Sequence, residues 1–208
     1  MHNCINWLKI LQPKVSAVDC KRLAEKEPKM TLSIRPAVAN DAQVLYQMIR
    51  DLANFEDAAH FVKVTPDILR QQLSLAQPPF LCAIAENGAT ACGFALYYYA
   101  YSTWEGSATL YLEDLFVYPQ FRGVGAGAAL MTYLAHAAET NGCNRFEWSV
   151  LNWNDSAIGF YEKLGAKPLS DWTRYRLESD GIERLATKDL PAKNLPTSFH
   201  KSQESKAS

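Results

Sequence analysis

Apolar positions recur along the chain in two rhythms, and the alternation between them sketches the fold. "TLSIRPA", from Thr31, alternates apolar and polar residues as a half-buried strand does. From Asp41 onward, Val44, Leu45, Met48, Ile49 and Leu52 form one helical stripe, with Asn40 or Asp41 placed to cap it. "TPDILRQQL" predicts a shorter helix, with Thr65 at its cap and Pro66 in its first turn. Three strand-like runs follow, "FLCAIAE", "ATACGFALYYYAY" and "ATLYLEDLFVY", and Asn87-Gly88 between the first two is a hairpin signal. Helical spacing returns at Leu130, Tyr133, Leu134, Ala137 and Ala138. "RFEWSVLNW" reads as a strand, "NDSAIGFYEKLGA" as a helix opened by Asn154 and closed by Gly165, and "TRYRLE" as a last strand before a short helical stretch. The order β-α-α-β-β-β-α-β-α-β predicts an α/β domain with helices on the faces of a mixed, mostly antiparallel sheet.

The ends differ from this middle. Residues 1–29 are polar and irregular and read as an extension, residues 30–189 as one domain, and residues 190–208, rich in Lys, Ser and Pro, as a tail with little to bury. Composition narrows the function classes. A 48% hydrophobic share supports a true core, and a net charge of -1 offers no general field for nucleic acid or an anionic membrane. Cys4, Cys20, Cys82, Cys92 and Cys143 are odd in number and widely spaced, which points to reduced thiols in the cytoplasm rather than to a zinc site or redox pair. No histidine pair has metal-ligand spacing, no apolar run nears the roughly 20 residues that span a bilayer, and "MHNCINWLKILQPK" lacks the pattern of a secretion signal. A soluble protein acting on small molecules, without a metal, is the expectation.

The segment with the densest chemistry is "EDLFVYPQFRGVGAGAALM", Glu113 to Met131, where a strand hands over to a helix through glycines. A helix start carries unpaired N–H groups and a partial positive charge, which favour a phosphate. Glycines remove the Cβ atoms that would hold a pyrophosphate away, and Arg122 adds a charge beside it. A Walker loop needs Lys and then Ser or Thr after its last glycine, but Ala128 and Ala129 stand there. Gly123, Gly125 and Ala128 do satisfy the dinucleotide fingerprint G-x-G-x-x-A. The preceding strands look antiparallel, however, and "YPQFR" separates the strand from the first glycine, whereas that fingerprint opens a parallel fold directly off its strand.

"QFRGVGAG" resembles the R-x-x-G-x-G signature of the GCN5-related N-acetyltransferases (GNAT). "LYLEDLFV", "NWNDSAIGFYEKLGA" and "FALYYYAYSTWEG" are similar to the polyamine (spermidine/spermine, or diamine) acetyltransferase branch, and the likeness runs from about Ile34 to Leu177. It implies a single-domain fold whose sheet splays open at its centre to admit acetyl-CoA. By resemblance, Leu115, Phe116 and Val117 would pair with the pantetheine arm like an added strand. Arg122, Gly123, Val124, Gly125, Ala126, Gly127 and Ala128 would hold the pyrophosphate, and Asn154, Asp155, Ser156 and Ala157 would line the same channel. The family is commonly dimeric, which makes a homodimer the expected state.

Acetyl transfer needs an uncharged amine, whereas an alkyl ammonium ionises near 10.4, so a base must take a proton. Glu113 is the candidate. The departing thiolate benefits from an acid, and the family places a tyrosine where Tyr161 stands. Without the resemblance Tyr161 would read as core, because it shares an apolar face with Ala157, Ile158 and Leu164. Glu113 and Asp114 should face opposite sides of a regular strand, but the family carries a bulge here that would turn both toward substrate. Phe55, Glu56, Glu113, Asp114, Glu147, Trp148, Ser149 and Asp171 fall at or near family substrate positions, and their carboxylates suit a cationic amine. After Glu56 this chain reads "DAAHFVKV", with His60 and Lys63 where polyamine enzymes carry further acids. A polyamine, a diamine and a lysine-like amine such as thialysine therefore stand side by side. The other readings are a protein N-acetyltransferase and a non-catalytic acyl-CoA-binding module of the same fold.

Overall fold

Five strands lie in the sheet in the order in which the chain makes them. β1 (Leu32–Pro36), β2 (Leu81–Asn87), β3 (Thr90–Ser102) and β4 (Ser107–Val117) pair antiparallel, and β5 (Arg145–Trp148) joins β4 in parallel. This computed structural model describes residues 31–187, in two compact units divided between Leu151 and Asn152. The expected extension 1–29 and tail 190–208, with Cys4 and Cys20, lie outside the described residues.

In the first unit α1 (Ala42–Phe55) and α2 (Pro66–Leu73) cover one face of the sheet. Leu45, Met48 and Leu69 are buried there against Cys82, Phe94 and Phe116, with Val44, Ile49 and Leu52 packed at the margin, so the expected stripe of α1 is its core face. α3 (Ala126–Thr140) covers the other face, where the Tyr99 hydroxyl donates to the carbonyl of Ala137 at 3.5 Å. Thr65 caps α2 as expected, its hydroxyl accepting the Ile68 N–H at 3.3 Å. The β2–β3 loop closes at Gly88 with φ of +62° and no positive φ at Ala89, which suits a II′ turn.

Asp41 departs from the expected capping role. Its carboxylate makes no bond to the helix it precedes but takes both ends of the Arg35 guanidinium, at 2.7 and 2.8 Å, and the Val38 N–H at 2.8 Å. Arg35 also reaches Glu86 at 2.9 Å. Side-chain hydrogen bonding from Arg35 holds the Asp41 carboxyl below the ordinary carboxylate range. The planar guanidinium matches a carboxylate bidentately, an option no capping pattern reveals.

In the second unit α4 (Asp155–Lys163) is capped at both ends as expected. The Asn154 side chain accepts the Ala157 N–H at 3.1 Å. Gly165, at φ of +88°, lets its own N–H and that of Ala166 return to the carbonyls of Glu162 and Tyr161, the double bond pattern of a Schellman end. α5 (Ser179–Ala186) is the expected short helix. The expected strand "TRYRLE" does not form: residues 173–178 join no ladder among the described residues and are exposed throughout. Alternation specifies a strand only where a neighbour offers backbone partners.

Candidate functional site

β4 carries the irregularity on which the site depends. Leu96 of β3 pairs with Asp114 and the next residue, Tyr97, pairs with Leu112, so Glu113 is an extra residue bulged out of the ladder. Paired residues share a face, which puts Asp114 with Leu96 and Cys82 on the α1 side and Leu112 with Tyr97 on the α3 side. The bulge absorbs one step of the alternation, so Glu113 and Asp114 follow one another on the α1 side instead of opposing each other. Glu113 is exposed and Asp114 half-buried.

Glu56, at the C-terminal end of α1, completes an acidic trio. Burial, reinforced by the charges of Glu113 and Glu56, pushes the Asp114 carboxyl up to about 6, and burial also raises that of Glu56. Among the described residues no cation offsets either shift, and an arriving ammonium would relieve both.

The strand edge beside the bulge is open. The ladder between β4 and β5 stops at Leu112 paired with Trp148, and from Glu113 to Val117 the edge has no strand partner among the described residues. Here the sheet parts, and an extended ligand can add its own polar groups to the free edge. Leu115 and Val117 are partly buried, whereas the Phe116 side chain belongs to the α1 core and leaves only its backbone available.

The same strand then runs into the glycine loop. Gly125, at φ of +98°, is the N-cap of α3, which has no capping side chain, and a Cβ at Gly123 or Gly125 would meet nothing within 4 Å. The first turn of α3 follows directly, with Ala126 buried and Gly127 and Ala128 partly exposed, and its N–H groups carry the helix dipole behind them. Arg122 is fixed at its edge: its Nε donates to the Val117 carbonyl at 2.9 Å and its guanidinium lies over the Phe55 ring, 5.3 Å from the centroid. Exposed Val124 sits between the two glycines. An extended thiol arm on the strand edge and a pyrophosphate at the helix start fit these residues.

The remaining expected positions divide. Glu147 pairs with Tyr111 in the ladder and stays on the α1 face, 3.9 Å from Arg145, while Ser149 lies within 3.0 Å of the Tyr111 hydroxyl. Trp148 points to the opposite face and packs edge-on with Phe146. Asn154, Asp155, Ser156, Ala157 and Tyr161 belong to α4 and its cap in the second unit, with Tyr161 partly buried, and Asp171 is exposed in that unit. Two contacts escaped the sequence: Arg122 on Phe55, and the Tyr118 hydroxyl donating to Asp51 at 2.9 Å. Each joins residues more than 60 positions apart, and no local pattern marks such pairs.

The family model for the acetyltransferase (GNAT) family matches residues 45–166, which takes in most of α1, the bulged strand, the glycine loop and α4. The chain belongs to that family. It is 38% identical over 164 residues to the mouse thialysine N-epsilon-acetyltransferase, covering 74% of this chain and 96% of the mouse protein. It is 34% identical over 164 residues to the human spermidine/spermine N(1)-acetyltransferase-like protein 1, across 74% of this chain and 23% of that one. Among solved structures, a Vibrio cholerae integron cassette protein superposes with a TM-score of 0.65 at 26% identity, over 76% of this chain and 99% of the other. GNAT membership makes this chain an acetyltransferase whose acyl donor is acetyl-CoA, which suits the open edge and the glycine loop at the start of α3.

Proposed function

We propose that this N-acetyltransferase transfers acetyl from acetyl-CoA to the primary amine of a small cationic substrate, with a lysine-like amine or short diamine preferred over a long polyamine. The observation that carries the reading is the bulge at Glu113, which sets Glu113 and Asp114 on one face with Glu56, on the strand whose open edge leads to the glycine cradle. Relatives named for thialysine and spermidine/spermine support an amine acceptor. Exposed His60 and Lys63 after Glu56 make the neighbourhood less welcoming to a long polycation.

Bound acetyl-CoA supplies an activated thioester. Asp114 and Glu56 attract the ammonium, and Glu113, more exposed to solvent, takes its proton. Tyr161 protonates the departing sulfur, a role that rests on the family likeness of its helix. Leu115–Val117 and Arg122–Ala128 hold the donor, and Glu147 and Ser149 shape the amine side; the donor role of Asn154–Ala157 and the amine role of Asp171 rest, like that of Tyr161, on the family likeness of their segments. Transfer is direct: among the described cysteines, burial raises the thiols of Cys82 and Cys92, which makes them poor nucleophiles, and Cys143 lies past the far end of α3 from the glycine loop. We further propose a homodimer working in the cytoplasm; no helix among the described residues is long and apolar enough to cross a membrane.

The test is CoA release from acetyl-CoA with a panel of thialysine, lysine, ornithine, putrescine, spermidine and lysine-bearing peptides. Turnover is expected with the small amines and weakest with peptides. A peptide preferred over every small amine would overturn the acceptor class, and tight CoA binding without turnover on any amine would point to a sensing module instead.

A further inference from the structure

We infer that Phe55 is a positioning residue for the donor, acting through Arg122, and not only a wall of the amine pocket. This rests on the reading of Arg122 as a ligand of the acetyl-CoA pyrophosphate.

An arginine on a surface loop spends most of its time away from any one geometry, and ordering its side chain for a ligand costs rotamer entropy. In this protein the ordering is done before a ligand arrives. Nε is committed to the Val117 carbonyl, at the last residue of the open strand edge, and the flat face of the guanidinium rests on Phe55. Those two contacts use one N–H and one face, leaving the terminal N–H donors at the rim for an anion. The helix that carries the ring is itself tied to the loop. Asp51, one turn earlier on α1, takes the Tyr118 hydroxyl at 2.9 Å, and Tyr118 packs edge-on against Phe116 at 5.0 Å. Residues 51 and 55 of α1 thus grip residues 118 and 122 of the loop in matching steps of four. The end of α1 that carries Glu56 is in this way part of the donor site as well as of the acidic trio.

The experiment is a double-mutant cycle read by calorimetric binding of CoA, using Phe55→Leu, Arg122→Gln and the pair, with Phe55→Trp as the conservative variant. Because Phe55 is about half exposed, the Leu variant is expected to fold with a melting point close to that of the parent. A cation–π contact predicts CoA binding weakened about three- to tenfold in Phe55→Leu. No further loss is expected when Arg122 is already Gln, and Phe55→Trp should bind like the parent. Losses that add in the double variant would overturn the proposal, as would an unchanged CoA affinity in Phe55→Leu. A parent protein that does not bind CoA at all would instead refute the acetyl-CoA reading on which the inference stands.

Discussion

At the scale of single residues, the acidic trio makes the sharpest commitments. Burial, with the charges of Glu113 and Glu56 beside it, pushes the Asp114 carboxyl up to about 6. The second-order rate with amine should therefore carry an inflection near pH 6, rising as Asp114 ionises, and Asp114→Asn should remove it; an identical pH profile in the variant would show that Asp114 does not face the amine. The assignment of Tyr161 is tested by Tyr161→Phe, expected to lower kcat by about 10²-fold while CoA binding holds, since a general acid acts only in the reaction step. Unchanged turnover would remove Tyr161 from the chemistry. Glu113 and Asp114 were legible in the sequence as carboxylates out of place in an apolar strand. Alternation alone would set them on opposite faces; the family likeness brought in the bulge that turns both one way, and the register with β3 carries it.

At the scale of elements, β4 does several things at once: it bulges, parts from β5, and ends in the glycine loop. The close approach of β3 to β4 after the bulge depends on Gly93, where a Cβ would sit 2.5 Å from the Phe116 carbonyl oxygen. Gly93→Ala is expected to destabilise the fold by about 1–3 kcal/mol, as overpacking does, and to lower the denaturant midpoint; an unchanged midpoint would mean that the strands yield freely. The elements that sequence read well are those with local causes: α1 from its stripe, α2 from Thr65 and Pro66, α4 from Asn154 and Gly165. "TRYRLE" misled because its alternation needs a ladder neighbour, and Asp41 misled because a side chain six residues earlier competes for it.

At the scale of the whole molecule, two carboxylates pull stability in opposite directions with pH. Asp41 is lowered by Arg35, so its contribution is complete above the ordinary value of 3.8 and fades as pH falls through its lower native value. Asp114 is raised, so the native state binds its proton more readily, and stability declines as pH climbs from 3.8 to about 6. Without substrate, the melting temperature should peak on the acid side of neutrality, and Asp114→Asn should flatten its decline toward pH 7. A parent protein whose stability climbs steadily from pH 4 to 7 would contradict this balance. The sequence by itself determined the order of elements as far as α4, the glycine-rich helix start at Gly123–Ala128, the family and the misplaced acids, because those rest on local spacing and on residue types whose chemistry is their own. The shared face of Glu113 and Asp114 and the open edge of β4 were expected only through the family likeness, and the ladder registers carry both. Only the tertiary structure decided that Asp41 goes to Arg35, that Asp114 is raised and that Phe55 seats Arg122, because each is a relation between segments brought together by the sheet and its packed helices.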